Sequence, residues 1–221
     1  MNDLSQDSLL REIDEDIRRE RYAKLWKRFG GYVIAAAALF VAAVAGYTVW
    51  KNHQSAARDA ASTEFFAAMA IEGKDRNAAE QAMQAIAEHG PAGYALLAAF
   101  QQAALLEKSD PQEARRAYQQ LQQTAGSEIY RDLAIIFDAM VAMRSEASPI
   151  DADTVRAKLQ PLTADSNPWR YSARELTALL DWRSGHAAEA KSALAALAAD
   201  SQAPPDLRAR ARQLVAQIGE N

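Results

Sequence analysis

Cysteine is absent from the chain, so no disulfide, thiolate nucleophile or zinc–cysteine site can form. Glycine and proline are scarce, nine and seven residues, which leaves few points where a helix has to stop. Histidine is scarcer still. His53, His89 and His186 share no ligand spacing of the H-E-x-x-H kind. There is no Gly-rich phosphate loop, no GK[ST] and no G-x-S-x-G. The paired acids Asp151 and Asp153 stand where a helix begins, a place for capping and for the helix dipole. No catalytic group, metal or cofactor is therefore expected.

What is present is alanine, leucine, glutamine, glutamate and arginine, a composition of strong helix formers. Hydrophobic residues make up 49% of the 221 and charged ones 24%, a balance that folds. The net charge is -4. Residues 1–28 carry seven acids and seven bases and sum to zero, and 29–50 carry no charge at all. The whole -4 thus belongs to the remainder, which repels phosphate backbones and argues against nucleic-acid partners.

From Phe29 to Trp50 no charge interrupts an apolar run. As a helix it spans roughly 33 Å, enough for a hydrocarbon core. Trp26 and Tyr32 near one end, and Tyr47 and Trp50 at the other, are the aromatic anchors expected at two interfaces with lipid. Six Lys or Arg lie in residues 14–28 against two in 51–65, which predicts a cytoplasmic N-terminus. A cleaved signal peptide is the competing reading, since Ala43-Val44-Ala45 resembles a cleavage site. An n-region of some 28 residues with seven acids argues for an uncleaved anchor. Ala38, Ala42 and Gly46 form a small-residue stripe that would allow close helix–helix contact within the membrane. Leu9 to Lys27 reads as a salt-bridged helical extension of the span, with Asp14/Arg18, Glu15/Arg19 and Glu20/Lys24 at i,i+4, or as a docking segment.

After the span, breaks recur at Gly73-Lys74-Asp75, Gly90-Pro91, Asp110-Pro111, Gly126-Ser127, Ser148-Pro149, Asn167-Pro168, Gly185 and Pro204-Pro205. Between them apolar residues repeat with helical period and none alternates as in a strand. One pattern, a small residue followed by large ones four and seven positions on, appears four times. It is carried by Ala79, Met83, Ile86; Ala114, Tyr118, Leu121; Val155, Leu159, Leu162; and Ala190, Leu194, Leu197. Steps of 35, 41 and 35 residues separate the copies. That is the second-helix signature of a tetratricopeptide-like repeat, whose period is about 34. The small residue admits the partner helix and the larger two fill the groove toward the next pair. Leu207 to Ile218 reads as a closing helix.

The predicted fold is all-α: one N-terminal transmembrane helix, then an α-solenoid of about four helix pairs with a capping helix. The expected segments are 1–28, charged and cytoplasmic; 29–51, the membrane helix; and 52–221, the repeat domain outside the cytoplasm. Aromatic residues fall mostly on the first helix of each pair, where a solenoid presents its concave face. Tyr94, Tyr130 and Tyr171 are the candidate protein-binding residues, although rings at helical spacing usually serve the core.

Four stretches, REIDEDIRRERYAKLWKRFGGYVIAAA (11–37), YTVWKNHQSAARDAASTEFFAAM (47–69), GPAGYALLAAFQQAALL (90–106) and WRYSARELTALLDWRSGHAAEAKSAL (169–194), together resemble the YfgM-type ancillary subunits of the bacterial Sec translocon, in their alphaproteobacterial form. The resemblance implies a single-pass inner-membrane protein with a cytoplasmic N-terminus and a periplasmic repeat domain. It implies as partners the Sec translocon, periplasmic chaperones or prolyl-isomerase-type proteins, and unfolded or newly exported polypeptides. The family has no catalytic residues to carry over. A repeat scaffold for another envelope machine, in outer-membrane protein insertion or cell division, is the alternative reading.

Overall fold

A computed structural model describes residues 3–144 and 151–219, with side chains from Leu25 onward. The i,i+4 pairs of residues 14–24 lie outside the described side chains, and most of the extra residues between the second and third copies of the pattern lie outside the described chain. The protein is all-helical: α1 (Asp3–Ile71), α2 (Arg76–His89), α3 (Ala92–Ser109), α4 (Pro111–Thr124), α5 (Glu128–Arg144), α6 (Ala152–Leu159) with a 3₁₀ turn at Gln160–Thr163, α7 (Arg170–Arg183), α8 (Ala187–Ala199) and α9 (Pro205–Gly219). Two compact units divide it, Met1–Ala57 and Arg58–Asn221.

The first unit is helix alone. Its side chains from Leu25 to Ala57 are exposed except at Gly30, which the indole of Trp26 covers. Among the described residues, one helix is long and apolar enough to cross a membrane; its window has a mean hydropathy of 2.1 and none of it is buried. Thr48 returns its hydroxyl to the Val44 carbonyl, so this polar side chain adds no unsatisfied donor.

The second unit is a row of antiparallel pairs. The last turns of α1 pair with α2, α3 with α4, α5 with α6, and α7 with α8; α9 packs on α8. The small-then-large residues lie inside. Ala79, Met83 and Ile86 meet Ala68, Ala98 and Leu105. Tyr118 and Leu121 meet Ala103, Ala134 and Val141, with Ala114 buried one turn earlier. Val155, Leu159 and Leu162 meet Ile136, Ala173, Leu176 and Leu180. Ala190, Leu194 and Leu197 meet Ala178, Leu207 and Ala211. Each core therefore joins one pair to the first helix of the next. A pair cannot hide its apolar face by itself, and stacking does so.

Capping explains where the second helices begin. Asp75, Asp110 and Asp151 each accept a hydrogen bond from the backbone N–H three residues on, at 3.0, 2.9 and 3.1 Å. Pro111 follows its cap at N1, where its missing N–H costs nothing. The fourth second helix starts differently. Gly185, at φ 88, takes the left-handed turn that ends α7, with its N–H on Trp182 O and that of His186 on Asp181 O.

Among the described residues two carboxylates are buried, and both tie helices together. Asp138, 3% exposed, accepts from Arg115 at 2.8 Å, Lys158 at 3.1 Å, and the amides of Gln119 and Gln122, joining α4, α5 and α6. Glu175 accepts from Nε and Nη2 of Arg210 at 2.5 and 2.6 Å and fastens α9 to α7. That bond raises the Arg210 guanidinium above its ordinary value, against a smaller opposing effect of burial.

Candidate interaction surfaces

The residues expected at a membrane are placed by one helix. Trp26, Tyr32, Tyr47 and Trp50 are all exposed, with Tyr47 and Trp50 leaning together at 6.1 Å between rings. Steps of four residues keep Ala38, Ala42 and Gly46 along one stripe. All three are exposed, and a Cβ added at Gly46 would meet nothing.

In the repeat unit the three tyrosines part company. Tyr94 is half-buried and packs on Phe65 at 6.1 Å between rings. Tyr130 stands exposed at the start of α5. Tyr171 is 9% exposed and sits in the core of the last pair, with the Arg170 guanidinium 4.3 Å from its ring centroid. Its position is one of packing, within the core that α7, α8 and α9 share.

Other large apolar residues of the first helices are exposed. Phe66 is 63% exposed and Leu97 50%. Leu97 follows Tyr94, which meets α1, by three residues and precedes Phe100, which meets Phe137 of α5, by three. At 100° per residue it points between those neighbours and away from α2 and α4. Ile129, at the start of α5, is exposed as well, and the Trp169 indole N–H donates to its carbonyl at 2.8 Å. Sequence reading missed Leu97, and held Phe66 among the aromatic candidates without singling it out. The available signal was the adjacent pair Phe65-Phe66, since two neighbours on a helix cannot both face one core.

Polar contacts link α3 to the turn after α1 and to α5. The Gln101 amide donates to Glu72 at 3.2 Å, and Arg144 donates to Glu107 at 2.5 Å. Tyr118 donates its hydroxyl to Glu107 at 2.9 Å. Burial first, and the Glu107 carboxylate second, push the Tyr118 phenol far above its usual range, so it remains a donor. Among the described residues no group of three His, Asp or Glu side chains converges as a metal site.

Repeated helix pairs with in-phase cores define a helical-repeat protein, a class that works by binding other proteins along its stacked faces. The chain belongs to the tetratricopeptide repeat-like domain family, whose model matches residues 23–147. The match takes in the apolar run as well as α2 to α5. No curated protein matches the chain. No solved structure matches it either.

Proposed function

We propose that this protein is a membrane-anchored interaction module, an ancillary subunit of the Sec translocon that links it to periplasmic chaperones and newly exported polypeptides. The observation that carries the reading is the union of two features in one chain. One is a long, wholly exposed apolar helix; the other is a tetratricopeptide-like unit whose first helices keep large apolar side chains, Phe66 and Leu97, in solvent. The six-to-two excess of bases before the span supports a cytoplasmic N-terminus and an inner-membrane, single-pass topology. Lipid holds the span, and the repeat unit works on the far side. Anchoring raises the effective concentration at a membrane partner toward the millimolar range, so weak contacts at Tyr94, Tyr130, Phe66 and Leu97 suffice. The translocon assignment itself rests on the family resemblance.

In-cell photo-crosslinking tests it, with probes at Leu97 and Phe66 in the repeats and at Ala42 in the span. Adducts with translocon or chaperone subunits are expected. Adducts confined to an outer-membrane insertion or division complex would move the protein to the alternative scaffold role. A periplasm-dependent reporter should work after Asn221 and fail before Asp3; the reverse would overturn the topology and the function together.

A further inference from the structure

Seven acids and seven bases cancel over residues 1–28, but they do not cancel evenly along the segment. On a helix, an ion-pair neighbour stands three or four positions away, and this whole segment from Asp3 onward is helical. Asp14, Glu15, Asp16 and Glu20 hold such positions relative to Arg18, Arg19 and Lys24. Arg21, Lys27 and Arg28 have no acid three or four positions away on either side. The end that adjoins the apolar run is therefore left basic. At 100° per residue, positions 21, 24 and 28 fall within about 60° of one another. Lys24 and Arg28 are like charges at i,i+4, which destabilises a helix unless an anion lies beside them.

Lys27 and Arg28 are exposed, and so are the rings of Trp26, Phe29 and Tyr32 around them. The Arg28 guanidinium stands over the Phe29 ring, 5.6 Å from its centroid. Trp26 lies back along the helix across Gly30, where an added Cβ would meet the indole at 3.3 Å. Glycine at 30 thus keeps that ring flat against the helix, at the level of the two bases. The far end of the run differs. Tyr47 and Trp50 are there, but Lys51 is the one Lys or Arg in residues 51–57.

We propose, on the reading of α1 as a membrane span, that its Lys27–Arg28 end holds an anionic phospholipid. Lys27 and Arg28 take the headgroup phosphate. Trp26 and Phe29 take the glycerol and the first methylenes, and the acyl chains continue along the apolar run. Other partners fit less well. Inorganic phosphate would satisfy the bases and leave three exposed rings in water. A zwitterionic headgroup brings its own ammonium to a surface already cationic. A nucleic acid has no acyl chain to follow the run. Bases act on an anionic membrane surface only within a Debye length of it, and Lys27 and Arg28 immediately precede the run.

The test places the full chain in phosphatidylcholine vesicles that contain a tenth of phosphatidylglycerol, at fixed ionic strength. Bromine, which quenches tryptophan, is carried on the acyl chains of the phosphatidylglycerol or of an equal amount of phosphatidylcholine. Trp50→Phe leaves Trp26 to report on the basic end, and Trp26→Phe leaves Trp50 to report on the other. The variant with both changes gives the background from Trp169 and Trp182. At the basic end, brominated phosphatidylglycerol should quench at least twofold more than brominated phosphatidylcholine. At Trp50 the two lipids should quench alike. Lys27→Gln with Arg28→Gln should bring the ratio at Trp26 close to one, and Lys27→Arg should keep it. Equal quenching at Trp26, an unchanged ratio in the double glutamine variant, or the same excess at Trp50 would overturn the proposal. No quenching of either tryptophan by either lipid is a different result: it would overturn the membrane reading itself, and the lipid site with it.

Discussion

The helix from Leu25 to Ala57 and the repeat unit after it draw on the same residues, alanine above all, and place them oppositely. In the first, Leu39, Phe40 and Val41 stand in the open with no side chain to cover them. In the second, Ala79, Ala98, Ala103, Ala114 and Ala190 are sealed completely. One helix without partners can hide apolar surface only in lipid. Helices in pairs hide it in one another, and there a small side chain matters because it sets how closely two backbones approach. Alanine in the apolar helix stands exposed; alanine in the repeats is a contact.

The same substitution should therefore do different things in the two regions. Ala190→Arg forces helices apart and buries a charge, which should cost the repeat unit about 4 kcal/mol. Ala42→Arg should leave the repeat transition unchanged and instead raise the cost of membrane insertion by about 2.5–3.5 kcal/mol. Thermal unfolding followed by circular dichroism reads the first, and membrane fractionation the second. An unchanged midpoint for Ala190→Arg would mean that the repeat register is misplaced.

Polar cores sharpen the contrast inside the repeat unit. Asp138→Ala removes the carboxylate that Arg115 and Lys158 share. Both bases are about one-third exposed and can turn to water. The loss should therefore fall below that of a sealed pair, near 2 kcal/mol. Asp138→Asn, which keeps an acceptor for Gln119 and Gln122, should lose about half as much. Urea midpoints separate the two variants. Glu175→Ala should cost less still, about 1 kcal/mol, because Arg210 is more than half exposed. Its signature is local: hydrogen exchange should quicken in α9 and stay slow in α4.

The smallest effect is one of pH. Hydrogen bonds from the Thr154 hydroxyl and then from its N–H hold the Asp151 carboxyl below its ordinary value. A depressed carboxylate stabilises the fold above its unfolded pKa, and the contribution is lost as pH falls through the folded one. The protein should therefore lose stability on acidification below about pH 4, where the Asp151 cap on α6 protonates. Asp151→Asn should remove a small part of that acid dependence while leaving neutral stability nearly unchanged, since asparagine also caps. An identical acid profile in wild type and variant would show that the cap carries none of it.

Much of this was legible because helical order is local. The apolar run is a matter of length and charge alone, and the breaks before α2, α3 and α4 are Gly, Asp and Pro acting within a few residues. The small-then-large spacing needs only seven residues to show which side of a helix turns inward. The aromatic residues were not legible in that way. Tyr94, Tyr130 and Tyr171 all sit near the start of a first helix, yet one packs on Phe65, one stands in solvent and one lies in the core of the last pair. Their own segments are alike; their neighbours are not.

By itself, then, the sequence determined the helical class, the membrane-length segment and the phase of the four second helices, since each follows from period, propensity and charge within one stretch of chain. Only the tertiary structure decided that Phe65 turns in and Phe66 out, that Asp138 collects donors from α4 and α6, and that Glu175 holds Arg210 of α9. These arrangements join residues that belong to different helices. No local pattern encodes such a meeting. It exists only once stacking has brought the helices side by side and the loss of water has made each unpaired charge costly.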